Sequence, residues 1–105
     1  MLDPACGPRK LSPDAASKSA LAAFTKALAR EVGPRDVTVN LIQPGSIDTD
    51  MNPASGPTAE TLKQFMALGR YGATDDIANA VAFLASAKAK YITGSTLTVD
   101  GGANA

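Results

Sequence analysis

Two residues of this chain have types and a spacing that could do chemistry: Asp14 and Lys18, four positions apart. If both lie on a helix, this spacing places the carboxylate and the ammonium on one face, one turn apart. The carboxyl group could then act as a catalytic acid that exchanges a proton with a substrate. An acid in the first turn of a helix, paired with a lysine four residues on, is the commoner arrangement and the one that we favour.

Composition excludes several other kinds of site. The 105 residues include no histidine and one cysteine, Cys6. Catalytic triads with a histidine base are therefore excluded, and we expect no zinc or other soft-metal site. A lone cysteine cannot form a disulfide within the chain, so we expect a reducing, cytoplasmic location. We interpret Cys6 as an unstructured residue, because only Arg9 and Lys10 lie near it in sequence to activate a thiol.

The balance of charge limits the partners. Lys+Arg and Asp+Glu number 10 each, so the chain has no net basic charge to attract nucleic acid or an anionic membrane. Its apolar runs fall well short of the ~20 residues that a membrane span needs. With 45% apolar and 19% charged residues, the composition is that of a globular protein, and the length allows at most one small domain.

A helix is predicted to carry Asp14 and Lys18. It begins near Ser12, a capping residue followed by a proline, covers about residues 14–32, and stops at Gly33-Pro34. Residues 1–11 show no periodicity, so we predict an irregular segment there and one folded unit over residues 12–105. The large apolar stripe of the helix is Leu21, Phe24, Leu28 and Val32, and its small-residue seam is Ala16, Ala20, Ala23 and Ala27.

The rest of the chain alternates strands and helices. The sequence predicts a strand at 37–43, a loop at 46–57, a helix at 58–68 capped by Thr58, a helix capped by Thr74, and a strand at 96–99. The stripe of the helix after Thr74 is Ile77, Ala80, Val81 and Leu84. This order predicts the α/β class, with two parallel strands joined by a right-handed crossover.

Four segments, in order and at matching spacing, resemble the short-chain dehydrogenase/reductase family. They are residues 16–21, residues 39–45 running on to 49, residues 70–78, and residues 92–102. The chain is most similar to the branch of 3-oxoacyl-acyl-carrier-protein reductases. The resemblance implies the C-terminal portion of a Rossmann-like, doubly wound parallel sheet, with about two strands and three helices and with the N-terminal nucleotide-binding half absent.

The resemblance also implies roles for particular residues. Lys18 matches the lysine that binds the nicotinamide ribose and lowers the pKa of the catalytic tyrosine. Pro44, Gly45, Ile47 and Thr49 match the loop that lies along the nicotinamide of NAD or NADP. Residues 58–68 match the variable lid over the substrate, and the elements at 14–32 and 74–100 match surfaces that the family uses between subunits.

Asp14 departs from the family pattern, because it stands where the family has its catalytic tyrosine. A carboxyl group with an ordinary pKa of about 4 is ionised at pH 7, so it cannot protonate a carbonyl as the phenol does. We therefore predict that Asp14 is not catalytic. No segment of the chain matches the family's catalytic serine or its Gly-rich cofactor turn.

Two functions of different class follow. The first is a fragment of an NAD(P)-dependent oxidoreductase that transfers hydride between the cofactor and a carbonyl or alcohol, and that is inactive as this chain alone. The alternative is a non-catalytic module that oligomerises, or binds a full-length relative, through the 14–32 helix and the 74–100 region.

Overall fold

The computed structural model describes residues 13–105, apart from the side chain of Asp14. The predicted irregular segment 1–11, Cys6 and the cap at Ser12 lie outside the described residues. In chain order, the elements are α1 (Pro13–Val32), β1 (Leu41–Pro44), α2 (Ala59–Lys63), α3 (Thr74–Ala85) and β2 (Thr96–Val99). One-turn 3-10 helices, Gly33–Arg35 and Ala87–Ala89, follow α1 and α3.

The two strands form a parallel pair, in which Leu41 lies opposite Thr96 and Pro44 lies opposite Val99. Parallel strands need a long crossover between them, and α3, which packs against both strands, lies in that connection. The predicted α/β class, with two parallel strands and three helices, is confirmed for the described residues.

Successive residues of a strand point to opposite sides of the sheet, and the residues in and just before β1 follow this pattern. Asn40 and Ile42 border a depression beside α3. Leu41 and Gln43 border a cleft on the side of α1, to which Ile42 also contributes. Helices therefore lie near both sides of the pair, and the cleft lies on the α1 side.

The predicted strand at 37–43 is wrong in its first half, since β1 begins at Leu41. The residues before Leu41 bond instead to the turn that precedes β2. The Val39 amide donates to Thr93 Oγ1 at 3.0 Å, and the Val39 carbonyl accepts from the Gly94 amide at 2.7 Å. A side-chain acceptor and a turn amide bond this stretch, so it does not form a strand ladder.

Helix α1 confirms the predicted 14–32 helix to within one residue, but of its predicted apolar stripe only Val32 is buried and Leu28 is half-buried. Its buried positions are Thr25, Ala29 and Val32, whereas Leu21 is 49% and Phe24 is 61% exposed. The orientation follows from the turn before β2. Lys26 Nζ donates to a carbonyl of that turn at 3.0 Å, and Ala29 faces the same turn.

Helix α2 is shorter than the predicted helix at 58–68 and covers only Ala59–Lys63. The predicted cap is also wrong, because the side chain of Thr58 makes no capping hydrogen bond. Beyond α2, bonds between residues three apart tighten the chain into turns, as in Met66 N to Lys63 O at 3.2 Å. A buried cluster forms here from Ala59, Met66 and Tyr71, with Ala54, Leu62 and Ala103 packed against it.

Helix α3 begins at Thr74 itself, so the predicted cap is wrong by one residue: Ala73 is the N-cap and Thr74 is the first residue of the helix. The Asp76 carboxylate accepts the amide of the N-cap residue Ala73 at 2.8 Å, which is the reciprocal bond of a capping box, and no side chain at the N-cap accepts an amide of the first turn. The predicted stripe is half-buried except at Val81, which is exposed.

Few of the described residues are buried. Six apolar residues are buried, and three of them are alanines. No large side chain of the described residues is completely buried, and ten large apolar side chains are exposed. Within residues 13–105, no helix combines the length and the apolar character needed to cross a membrane.

Candidate functional site

An open cleft of about 480 Å³ lies between α1 and the sheet. Lys18 borders it from α1, and Pro44 and Gly45 border it from the end of β1. Thr98 of β2 and the C-terminal turn around Asp100 complete the wall. The structure thus brings three of the five predicted cofactor-binding residues to one cleft.

The cleft lies where the carboxyl ends of both strands meet. In open α/β sheets, ligands bind in the crevice outside the carboxyl ends of the strands. The Gly45 amide, just after β1, donates to the Val99 carbonyl of β2 at 2.9 Å. A Cβ at Gly45 would lie 2.6 Å from the Asp100 Cβ, so only glycine fits this close approach.

The sequence analysis gave Asp100 no role of its own, although its carboxylate holds the turn that follows β2. Asp100 Oδ1 accepts the Gly102 amide at 2.9 Å, and Oδ2 accepts the Asn104 amide at 3.2 Å. The sequence signal is an aspartate two residues before a glycine, which is typical of a side chain that bonds its own turn. The carboxylate therefore shapes the floor of the cleft.

Ile47 lies beside the cleft rather than in it. It lines a smaller pocket of about 220 Å³, which shares Ser46 and Asp100 with the cleft. Ile47 also forms a parallel bridge with Gly72. The Asp48 amide donates to the Gly72 carbonyl at 2.8 Å, and the Gly72 amide donates to the Ser46 carbonyl at 3.0 Å.

Thr49 is exposed and borders neither of these pockets. Its carbonyl and its Oγ1 accept the Asn52 amide at 3.1 and 3.2 Å, and its own amide donates to the Asn52 carbonyl at 3.3 Å. The threonine therefore sits in a small closed turn. Its role as a cofactor contact stays a prediction.

Lys18 is exposed near the beginning of α1 and is one of the residues that line the cleft. The side chain of Asp14 lies outside the described part of the chain, so its pairing with Lys18 and its lack of a catalytic role stay predictions. In residues 13–105, no group of three or more acidic, cysteine or histidine side chains is arranged to hold a metal ion.

Comparison with known proteins decides the family. A family model described as enoyl-(acyl carrier protein) reductase matches residues 9–104. A solved short-chain dehydrogenase/reductase from Serratia marcescens is 56% identical, with a TM-score of 0.83 over 87% of this chain and 37% of that one. The chain belongs to the short-chain dehydrogenase/reductase family. The resemblance carried by the four sequence segments is confirmed.

Two similar proteins from Escherichia coli have names that describe what they bind or which reaction they carry out. The 3-oxoacyl-[acyl-carrier-protein] reductase FabG is 54% identical over 90 residues, which are 84% of this chain and 36% of that protein. The cyclic-di-GMP-binding biofilm dispersal mediator protein is 49% identical over 87 residues, 83% of this chain and 37% of the relative. The chain therefore spans little more than a third of the length of these relatives.

A further solved relative carries a nicotinamide cofactor. A blue fluorescent protein from a metagenomic library, solved in complex with NADPH, is 52% identical, with a TM-score of 0.83 over 87% of this chain and 37% of that one. At 52% identity and a TM-score of 0.83, the matched part of this chain has the same fold as the corresponding part of that protein.

Proposed function

We propose that this chain supplies the lysine and nicotinamide side of an NAD(P)-dependent oxidoreductase site. The observation that carries the proposal is the cleft at the carboxyl ends of β1 and β2, bordered by Lys18, Pro44 and Gly45. The intact site would act on a carbonyl or an alcohol, and the reductase name of the E. coli relative supports that substrate class. The cofactor, when bound, supplies or accepts the hydride.

The residues at the cleft fit one end of such a cofactor. A lysine ammonium carries three N–H donors, which suit ribose hydroxyls, and Gly45 adds no side chain of its own to the cleft wall. The 105 residues contain no Gly-rich turn of the kind that holds a pyrophosphate. The NADPH-bound relative makes NADPH the first cofactor to test, and NAD remains the second.

On this proposal, the 105-residue chain alone binds the cofactor no more tightly than about 1 mM, or roughly 4 kcal/mol, because the pyrophosphate contacts are missing. It also reduces no carbonyl by itself, since an ionised carboxylate at position 14 is a poor proton donor. Titration calorimetry with NADPH tests the first statement. Micromolar binding by the chain alone would contradict it.

Complementation tests the proposal as a whole. The chain is co-expressed with the N-terminal segment of E. coli FabG that precedes the matched region, and NADPH oxidation is followed at 340 nm with an acetoacetyl thioester. We expect turnover only when the chain also carries Asp14→Tyr, because the phenol is needed for proton transfer.

Two exposed lysines provide a matched pair of variants, one for the test and one for its control. In the Asp14→Tyr background, Lys18→Met should abolish turnover, while Lys88→Met, which changes an exposed lysine after α3, should leave it within twofold. Turnover by the Asp14→Tyr chain without the added segment would refute the argument from missing contacts. A Lys18→Met assembly as active as the Lys88→Met assembly would refute the role given to the cleft.

The second candidate function is a module that binds a copy of itself or a full-length relative. The apolar surface of two elements favours it: Phe24 and Leu21 are exposed on α1, and Val81 and Phe83 are exposed on α3. These helices belong to the 14–32 and 74–100 regions. We propose a homo-oligomer first and docking onto a relative second. Light scattering after size exclusion, with and without NADPH, separates a monomer from either assembly.

A further inference from the structure

Tyr71 joins two parts of the molecule that the sequence treats separately. Its side chain is 7% exposed and belongs to the apolar cluster of Ala59 and Met66, beside α2. Its hydroxyl donates to Asn52 Oδ1 at 3.2 Å, across 19 positions of sequence. The ring is thus held by the lid region, and the hydroxyl reaches the loop that follows β1.

The acceptor of that hydrogen bond lies at the centre of the turn of Thr49. The Asn52 amide donates to both the carbonyl and the Oγ1 of Thr49, at 3.1 and 3.2 Å, and the Asn52 carbonyl accepts the Thr49 amide at 3.3 Å. Asp48 Oδ1 also accepts the Ala54 amide at 2.8 Å, so a side-chain hydrogen bond brackets this turn. A fixed Asn52 side chain therefore matters to where the Thr49 hydroxyl lies.

The backbone next to Tyr71 holds the same loop at a second place. The amide and carbonyl of Gly72 bond to Ser46 and Asp48, one on each side of Ile47. The bonds of Tyr71 and Gly72 therefore clamp the loop 46–52 at both ends. The backbone bonds fix its beginning, and the tyrosine hydroxyl reaches the turn at its end from outside the loop.

We propose that Tyr71 is a positioning residue, which sets the Thr49 hydroxyl for a cofactor and ties the place of the cofactor loop to the α2 region. A threonine hydroxyl that accepts one amide keeps its own O–H as a donor. That donor suits a carboxamide or phosphate oxygen. The part that concerns the cofactor rests on the function proposed above and on the cofactor contact that the family resemblance predicts for Thr49, whereas the mechanical link does not.

Amide hydrogen exchange on the full 105-residue chain tests the link. Tyr71→Phe removes the hydroxyl and keeps the ring, and Tyr91→Phe removes a hydroxyl that is 99% exposed. We expect Tyr71→Phe to speed exchange at the Thr49 and Asn52 amides about threefold to tenfold, the effect of losing one hydrogen bond.

The amides of Phe65 and Met66, in the turns after α2, should stay within twofold in both variants. No change at Thr49 and Asn52 in Tyr71→Phe would overturn the proposal. A uniform rise over the whole chain would also overturn it, because that is the result of a purely structural tyrosine.

A cycle of variants tests the cofactor arm, using NADPH and the complemented assembly that carries Asp14→Tyr. Tyr71→Phe should raise the Kd about threefold to tenfold, and it should add nothing in an Asn52→Ala background, because both act through one bond. Independent, multiplying effects would overturn the positioning role. If the parent assembly binds no NADPH, the proposed function fails, while the exchange experiment still decides the role of Tyr71.

Discussion

Dilution is the perturbation that most directly tests whether this chain folds alone. The described residues bury six apolar residues, half of them alanines, and bury no large side chain completely. Ordering each residue costs about 1–2 kcal/mol in backbone entropy, and a fully buried large apolar side chain returns about 1.5–3 kcal/mol. With so few such side chains, we expect the folded state to depend on association, and hence on concentration.

The size of the effect can be worked out for a homodimer. A 100-fold dilution destabilises the dimer, relative to two unfolded chains, by RT ln 100, or about 2.7 kcal/mol. Unfolding releases about 2.1 cal/mol/K per residue, so two chains of 105 residues give about 440 cal/mol/K. The ratio predicts that Tm falls by about 6 °C between 100 and 1 µM chain.

Thermal unfolding followed by circular dichroism at several concentrations measures this slope. Phe24→Glu places a charge on the exposed face of α1 and should remove the cooperative transition over this concentration range, because a chain that cannot associate should not fold. Met51→Glu is the matched control, because Met51 is a 97% exposed residue of the loop outside the two proposed contact regions. A sharp transition that is independent of concentration, from a species with the mass of a monomer, would refute the reasoning.

Three further substitutions test particular contacts at one fixed protein concentration, by the midpoint of urea unfolding. Gly45→Ala should cost about 1–3 kcal/mol through overlap with the turn after β2, whereas Gly33→Ala, with open space around it, should stay within about 0.5 kcal/mol; equal effects would contradict the close approach. Met66→Ala should cost about 2–3 kcal/mol, and Met51→Ala almost nothing; an equally small cost for both would show that the α2 cluster is not formed. Thr58→Ala should cost less than about 0.5 kcal/mol, since no capping bond is lost; a loss of 1 kcal/mol or more would indicate a cap.

Local chemistry made α1 predictable from sequence. A proline at its first position and Gly33-Pro34 after its last residue fix both ends without any help from the rest of the molecule. The face that α1 buries was not predictable in the same way. It depends on the turn before β2, more than 60 positions later, which receives the hydrogen bond of Lys26 and the contact of Ala29.

Strand β1 shows the same limit. Its β-rich composition over 37–43 predicted a strand, but pairing begins only where β2 supplies a partner, at Leu41. Helix α2 was predicted too long for a related reason. The apolar spacing of residues 62–66 fits a helix, yet tertiary packing around Met66 and Tyr71 closes that stretch into turns.

The residues of the candidate site also differ in whether the sequence could predict them. Lys18, Pro44 and Gly45 were found through motif resemblance, and the structure places them on one cleft. Asp100 carried a local signal that was not used. The hydrogen bond from Tyr71 to Asn52 had no sequence signal, because it joins a side chain after α2 to a loop side chain 19 positions earlier.

The proposed assembly surface and the proposed cofactor cleft share a residue. Leu21 is both a wall of the cleft and half exposed on α1, so a second polypeptide that covers this face of α1 would also close the cleft. Closing the cleft would shield the Lys18 ammonium from water and strengthen its bonds to a ribose. Binding free energies are reciprocal, so NADPH should then favour assembly as much as assembly favours NADPH. If instead NADPH leaves the association constant of the complemented assembly unchanged, the cleft and the assembly surface are separate.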